Sequence, residues 1–461
     1  MTKESLIAVI VVLVIIVAAL GIYFYRRPSA PQGPAQLSII SPHWEGILNE
    51  FINKFKSWYE NQTGRPIEVT YETYGTSDCV KRIETWYQTN EQGNWDILWG
   101  GGVDPFLKLK DEGLLQAVTD QELINYVKDN MPADYHGIPM YDPEYYWFGT
   151  ALSGFGIMYN KDRIQEKGLP VPQTWEDLTK PEAFDEVGSA DPRHSGSTHM
   201  MYEIILQAYG WDKGWEIITK MGGNIRDFPE HSSTIPKLVA NGELSYGLAI
   251  DFYAWGKIAE VGADRIGYVM PEGLTVINPD SIAILKNAPH YEEAQMFIKF
   301  VLSDDGQKLW MLPKGAPGGP KNYTLGRMSV IPRLYDEIPA SERAVQVNPF
   351  EIASTLSYNA TKGGTRWAIL NDLIGALIID KHDELREAWS AIIDAMNSGV
   401  SEDKINQAIA KLCEMPATEE QILEWANQWS DEAFQQQKIT EWHNFADQKY
   451  SEVLEILGVG G

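Results

Sequence analysis

Two α/β lobes, preceded by an apolar segment and followed by a helical C-terminal region, are the architecture this sequence predicts. Three observations carry that expectation. Strand-like and helix-like stretches alternate in two successive series over residues 37–303, an uncharged apolar run occupies 6–25, and helical periodicity takes over from 366 onward.

The run 6–25 consists mostly of Ile, Val, Leu and Ala, and its roughly 20 residues suffice to cross a hydrocarbon core as a helix. Arg26-Arg27 and the Pro-rich stretch 28–35 follow, so 1–27 reads as a membrane anchor and 28–35 as a linker. A cleaved signal peptide is the alternative, although the apolar run is long for one. With no cysteine near its end, lipid anchoring is excluded. Charge leaves the orientation open, because Arg26 and Arg27 outnumber Lys3 across the segment.

The first α/β series opens with a short apolar strand over 37–41. Ile47, Phe51, Phe55 and Trp58 then recur at helical spacing and predict a helix over 43–59. A strand over 66–71, a helix over 79–87 and a strand over 95–99 ending in Gly100-Gly101-Gly102 complete a βαβαβ rhythm, which implies a mostly parallel sheet covered by helices. An aromatic and Gly-rich stretch, 137–160, closes with a strand over 154–159. The second series contains a turn at 175–178, helices over 198–209, 213–221 and 233–241, strands over 245–250, 266–270 and 281–285, and a helix over 291–303. Beyond 312 the chain becomes Gly/Pro-rich, and helices follow over 367–379, 384–396 and within the acidic stretch 418–457, an extension expected to cover one lobe.

Composition removes several functional classes. A net charge of −26 argues against nucleic acid and anionic lipid surfaces as partners, since both select basic patches. Cys79 and Cys413 are the only cysteines, so neither a disulfide framework nor a zinc site can be read; one long-range bridge and two free thiols both remain open. Sequons begin at Asn61, Asn322 and Asn359 and would accept glycans on an outward-facing chain. No GxSxG, HExxH, P-loop or dinucleotide glycine motif occurs, and no enzymatic activity is expected.

Three helix starts carry hydroxyl side chains suited to an anion: Thr76-Ser77, Ser195 to Thr198, and Ser232-Ser233. Each also suits an ordinary N-cap. Asp251 could pair with a cation or amine, and Tyr145, Tyr146 and Trp147 could wall a cleft or simply fill a core.

Several phrases carry a resemblance when taken in order across 37–312. They are Ile39-Ile40-Ser41-Pro42-His43, Trp95-Asp96-Ile97-Leu98-Trp99-Gly100-Gly101, Gly154-Phe155-Gly156-Ile157-Met158-Tyr159-Asn160-Lys161, Pro172-Gln173-Thr174-Trp175, Ser195-Gly196-Ser197 and Leu248-Ala249-Ile250-Asp251. Together they resemble family 1 extracellular solute-binding proteins of ABC importers, in particular the ferric-iron-binding branch.

That resemblance implies a type II periplasmic-binding-protein fold, with lobe one at 36–148 and 275–320, lobe two at 149–274, crossings near 148–158 and 270–279, and an extension over 321–461. It also implies an outward-facing domain that passes a small solute to an ABC permease, with Fe(III) as one candidate cargo; joined to the anchor read at 1–27, the chain is expected to be a membrane-anchored monomer with no resident cofactor. The ligand-binding candidates are Ser41, His43, Trp44, Thr76, Ser77, Gly101, Ser195, Gly196, Ser197, Thr198, Ser233, Asp251 and Tyr253. Iron-binding relatives place two adjacent tyrosines after the strand ending near Asp251, whereas this chain has Phe252-Tyr253. Tyr253 and His43 are therefore the metal candidates, with His199 beside the serine-rich loop. A small organic anion, phosphate ester or carboxylate, and an anchored sensor without transport are the alternatives.

Overall fold

The computed structural model describes residues 33–352 and 356–459. The expected anchor at 6–25 lies outside them, and among the described residues no helix is long and apolar enough to cross a membrane.

Lobe one is built on β1 (Ala35–Ser41), β2 (Ile67–Thr73) and β3 (Ile97–Trp99), interleaved with α1 (Glu45–Thr63), α2 (Thr76–Tyr87) and α3 (Val103–Asp111). β1 lies between β2 and β3 and is parallel to both. Helix α1 buries Ile47, Leu48, Phe51, Ile52, Phe55 and Tyr59 and stops at Gly64, whose φ of 70° ends the helix in the left-handed conformation. After β4 (Leu115–Gln116), α4 (Gln121–Asn130) and the hairpin β5–β6 (Asp134–Tyr135, Ile138–Pro139), the chain leaves along β7 (Trp147–Asn160). Every residue of β7 is buried, which accounts for its mainly apolar and Gly composition in place of a two-residue alternation.

Lobe two contains α5 (Lys161–Lys167), β8 (Val187–Gly188), α6 (Gly196–Tyr209), α7 (Trp211–Asn224), α8 (Thr234–Ala240), β9 (Tyr246–Ile250), α9 (Asp251–Val261) and β10 (Ile266–Val269). The far half of β7 pairs antiparallel with β9 and β10. The chain returns along β11 (Ile277–Leu285), antiparallel to the near half of β7 and to β3, with a register break between Asp280 and Ser281. Two antiparallel crossing strands thus join the lobes. The sheet is mixed, and the expected mostly parallel sheet holds only for β1, β2, β3 and for β8 with β9.

Helices α10 (Tyr291–Leu302), α11 (Asp304–Met311) and α12 (Arg333–Glu337) follow. Leu325, Met328, Val330, Ile331 and Leu334 join the same apolar core as α1 and α10, so the chain stays with lobe one past residue 320. The extension proper is helical: α13 (Ala360–Ile374), a π-helical turn over Gly375–Ile379, α14 (His382–Asn397), α15 (Glu402–Leu412), α16 (Glu419–Ala426) and α17 (Glu432–Leu457).

The extension packs on both lobes, where the sequence suggested one. α13 lies along α3 of lobe one and also contacts α6 of lobe two. Gly363 and Gly364 admit the backbone of α13 against Asp104: a Cβ at Gly363 would meet the Asp104 carboxyl, and one at Gly364 its backbone carbonyl. On the other lobe, Arg366 donates to Glu203 through Nε and Nη2 at 2.8 Å each and to Glu419 through Nη1 at 2.6 Å, and the side chains of Arg366 and Glu203 are fully buried. Both thiols are free, with Cys79 buried and Cys413 partly so.

A buried bidentate pair costs most when one partner is removed, because the other charge is left in the interior. Arg366→Met is expected to lower stability by about 3–5 kcal/mol in urea unfolding, and Arg366→Met/Glu203→Leu to recover much of that loss.

Candidate functional site

A cavity of about 370 Å³ lies between the lobes, a size suited to a small solute. The first turns of α1, α2, α3, α6 and α9 all contribute lining residues. This follows from the topology: each of these helices starts just after a strand or loop that ends at the cleft, so the partial positive charge of its N-terminus lies there.

The lobes come close at one edge. Ser77 Oγ donates to the Pro192 carbonyl at 3.4 Å, His194 Nδ1 lies 3.3 Å from Asp78 Oδ2, and a Cβ at Gly75 would overlap the His194 carbonyl. Beside this edge the hydroxyls form a chain. Ser195 caps α6 by accepting from the Thr198 N–H at 3.3 Å, Ser195 and Ser197 are 3.2 Å apart, and Ser197 donates to Ser232 at 3.1 Å.

On the lobe-one side, Asp280 sits at the register break of β11. Its carboxylate accepts from the Gly101 N–H and pairs with Arg327, and His43 Nε2 lies 3.3 Å from it without hydrogen-bond alignment. Arg327 also donates to Ser153 Oγ at 2.6 Å, its guanidinium lies 4.5 Å over the Phe252 ring, and its Nε has no partner. Burial by itself would raise the Asp280 carboxyl, but Arg327 and His43 hold it below the usual carboxylate range. Burial takes His43 down to about 4, with Asp280 opposing, so the imidazole is neutral at pH 7; it stacks on Trp99 at 4.8 Å. Burial likewise pushes the Tyr253 phenol up to about 12.

Of the sequence candidates, His43, Trp44, Thr76, Gly101, Ser195, Gly196, Ser197, Ser233 and Tyr253 line the cavity. Four do not. Ser41 donates to the Trp99 carbonyl at 2.5 Å and accepts from the His43 N–H, bracing the loop behind the cavity. Ser77 spends its hydroxyl on the Pro192 carbonyl, and Thr198 donates to Ser195 at 3.0 Å. Asp251 turns away from the cavity to accept from the Gly154 and Phe252 N–H groups, and burial raises its carboxyl to about 7. His199 is fully buried, bonded to Asn371 at 2.7 Å and packed on Trp367. Tyr145, Tyr146 and Trp147 are outside the cavity lining.

Sequence reasoning missed Asp104, Ser153, Asn278, Asp280, Arg327 and Trp367. A usable signal existed for two of them, because Asn278 and Asp280 are polar residues inside an otherwise apolar strand. Arg327 lies in a Gly/Pro-rich stretch with no periodicity, and Trp367 reads as one more core aromatic.

Two α/β lobes joined by crossing strands around a solute-sized cavity define a receptor of the periplasmic-binding class. The chain belongs to the bacterial extracellular solute-binding protein family, whose sequence model matches residues 51–326, more than half of the protein. Members of this family are extracytoplasmic binding proteins that deliver solute to ABC permeases. The chain is similar to the phosphoglycerate transport regulatory protein PgtC of Salmonella typhimurium, 24% identical over 293 residues that cover 64% of this chain and 69% of that protein. Among solved structures it is similar to the periplasmic binding protein AfuA of Actinobacillus pleuropneumoniae with fructose-6-phosphate bound, at 22% identity and a TM-score of 0.52 over 60% of this chain and 81% of that one. It is also similar to the ferric binding protein of Campylobacter jejuni, at 18% identity and a TM-score of 0.53 over 77% and 99%.

The lowered His43 and His199 imidazoles make the fold acid-sensitive. Both are neutral in the folded protein down to about 4, whereas the unfolded imidazole charges near 6.5, so this stability is complete above 6.5 and is lost as pH falls toward 4. Each group is expected to cost on the order of 3 kcal/mol across that window. Urea unfolding at stepped pH checks this, with His43→Gln showing the shallower slope between pH 6.5 and 4.

Proposed function

We infer that this chain is the anchored, outward-facing receptor of an ABC importer, and that its solute is a small organic anion bearing a phosphate ester or carboxylate. The carrying observation is the convergence of five helix N-termini on one cavity lined by Thr76, Ser195, Ser197, Ser232 and Ser233. Oriented N–H groups and hydroxyls bind an anion without a free formal cation. That matters because the Arg327 charge is balanced by Asp280. Glu45 and Glu230 also line the cavity but are exposed, so water screens them. PgtC is named for phosphoglycerate transport, and the AfuA structure holds a sugar phosphate; both fit this reading. The run 6–25 would hold the receptor at the outer membrane surface of the permease it serves.

In operation the solute settles against one lobe, and bending of β7 and β11 brings the other over it, so that the permease meets a closed receptor. The purified chain is expected to carry an organic phosphate or carboxylate detectable by mass spectrometry, and to bind glycerol 3-phosphate or glycerate in calorimetry. Arg327→Gln should weaken that binding roughly 100-fold, because the Asp280 carboxylate it balances is left uncompensated at the cavity wall and repels an anion. A wild-type chain that binds neither class of anion would sink the reading.

Ferric iron is the second reading, favoured by the presence of Tyr253 and His43 in one cavity with Asp280 beside them. Tyrosinate, imidazole and carboxylate are a hard donor set suited to Fe(III). Binding would have to deprotonate a phenol that burial holds near 12. A tyrosinate-to-iron absorption band on ferric loading, lost in Tyr253→Phe, would establish it; a colourless loaded protein would remove it.

A further inference from the structure

The inner end of the cavity presents buried polar atoms that anion binding leaves unused. Asp104, in the first turn of α3, is 1% exposed; its Oδ2 accepts from the Tyr358 hydroxyl and its Oδ1 has no partner. Asn278, on β11, is 2% exposed; its Nδ2 donates to Met200 Sδ at 3.5 Å and its Oδ1 has no partner. Both side chains line the cavity. Buried oxygens without partners are rare in folded proteins, because each forfeits its solvation without return. Two of them lining one cavity are atoms to which a bound molecule would supply hydrogen bonds. Trp367 of α13 lines the same cavity, packed against His199 at 3.7 Å between ring centres.

The geometry points to a second subsite, formed by Asp104, Asn278 and Trp367, that takes the hydroxyl-bearing tail of the solute. It rests on the organic-anion reading of this cavity and specifies that anion further as a hydroxylated one. A hydroxyl both donates and accepts. It satisfies the Asn278 oxygen as a donor, and it satisfies Asp104 Oδ1 whether that carboxyl is ionised or holds its proton. Burial raises the Asp104 carboxyl well above its ordinary range, with the Tyr358 hydrogen bond opposing. A purely apolar tail would leave both oxygens unpaired, and a carboxylate there would bring no donor to the Asn278 oxygen. The indole of Trp367 supplies an apolar wall for the carbon chain that bears the hydroxyls. Trp367 and Tyr358, the residue that holds Asp104 in place, both lie beyond the family match at 51–326. The extension therefore supplies part of the subsite and gives this chain a selectivity that the shared two-lobe frame does not contain.

The test is calorimetry on the full-length chain with inorganic phosphate and two matched pairs: glycerol 3-phosphate against propyl phosphate, and glycerate against propionate. The hydroxylated member of at least one pair should bind roughly tenfold or more tightly than its deoxy partner. Asp104→Leu or Asn278→Val should bring that preference toward unity while leaving the deoxy ligand within about twofold; if Asp104→Leu does not fold, Asn278→Val carries the test alone. Equal binding within both pairs, or a preference that survives Asn278→Val, overturns the subsite and leaves the anion reading standing. Failure of all five probes to bind overturns the anion reading and the subsite with it.

Discussion

Asp280 is where the pieces of this receptor are tied together. It sits where β11 breaks register against β7, in the strand pair that joins the lobes. From that point its carboxylate holds the Gly101 N–H at the end of β3, the Arg327 guanidinium from the segment after α11, and the neighbourhood of His43 at the start of α1. Its backbone carbonyl accepts from Thr150 of β7 at 2.9 Å. A largely buried charge such as this one persists when it is paired and hydrogen-bonded, so the segments that satisfy it are held in register around the cavity. The wall of the site and the joint between the lobes are therefore one structure.

The extension changes how such a joint can move. In a two-lobed receptor with only crossing strands between its halves, strand bending is the main resistance to opening. Here α13 reaches both lobes, through Gly363 and Gly364 against Asp104 on one side and Arg366 with Glu203 on the other. Opening must either carry α13 with one lobe or break buried polar contacts that are costly to leave unpaired. The same helix brings Trp367 to the cavity, so one added segment affects both the range of motion and the ligand surface.

Much of the fold was legible because its signals are local. The helical spacing of Ile47, Phe51 and Phe55 located α1, and the apolar run before Gly100 located β3 within two residues. What escaped was decided by partners distant in sequence. β7 extends beyond the expected 154–159 because its first half, Trp147 to Ser153, has no alternation: it is buried throughout, and its pairing partner β11 arrives more than a hundred residues later. Helices α3, α4 and α9 are short, and α9 begins directly at Asp251, so no loop marks its start. In the site, hydroxyl-rich caps such as Ser195 to Ser197 could be recognised from their place before a helical run. The roles of Ser41 and Asp251 could not, since a buried serine or aspartate reads the same whether it faces a cavity or the backbone.

By itself, then, the sequence determined the alternating α/β elements, the two-series order that makes two lobes, and the hydroxyl-bearing helix starts, because periodicity and capping depend on residues a few positions apart. Tertiary structure decided which polar groups meet in the cavity. Asp280 and Arg327 are 47 positions apart, and Asp104 and Tyr358 are 254 apart. Such pairs form through the sheet register and the docking of α13, which no local pattern encodes.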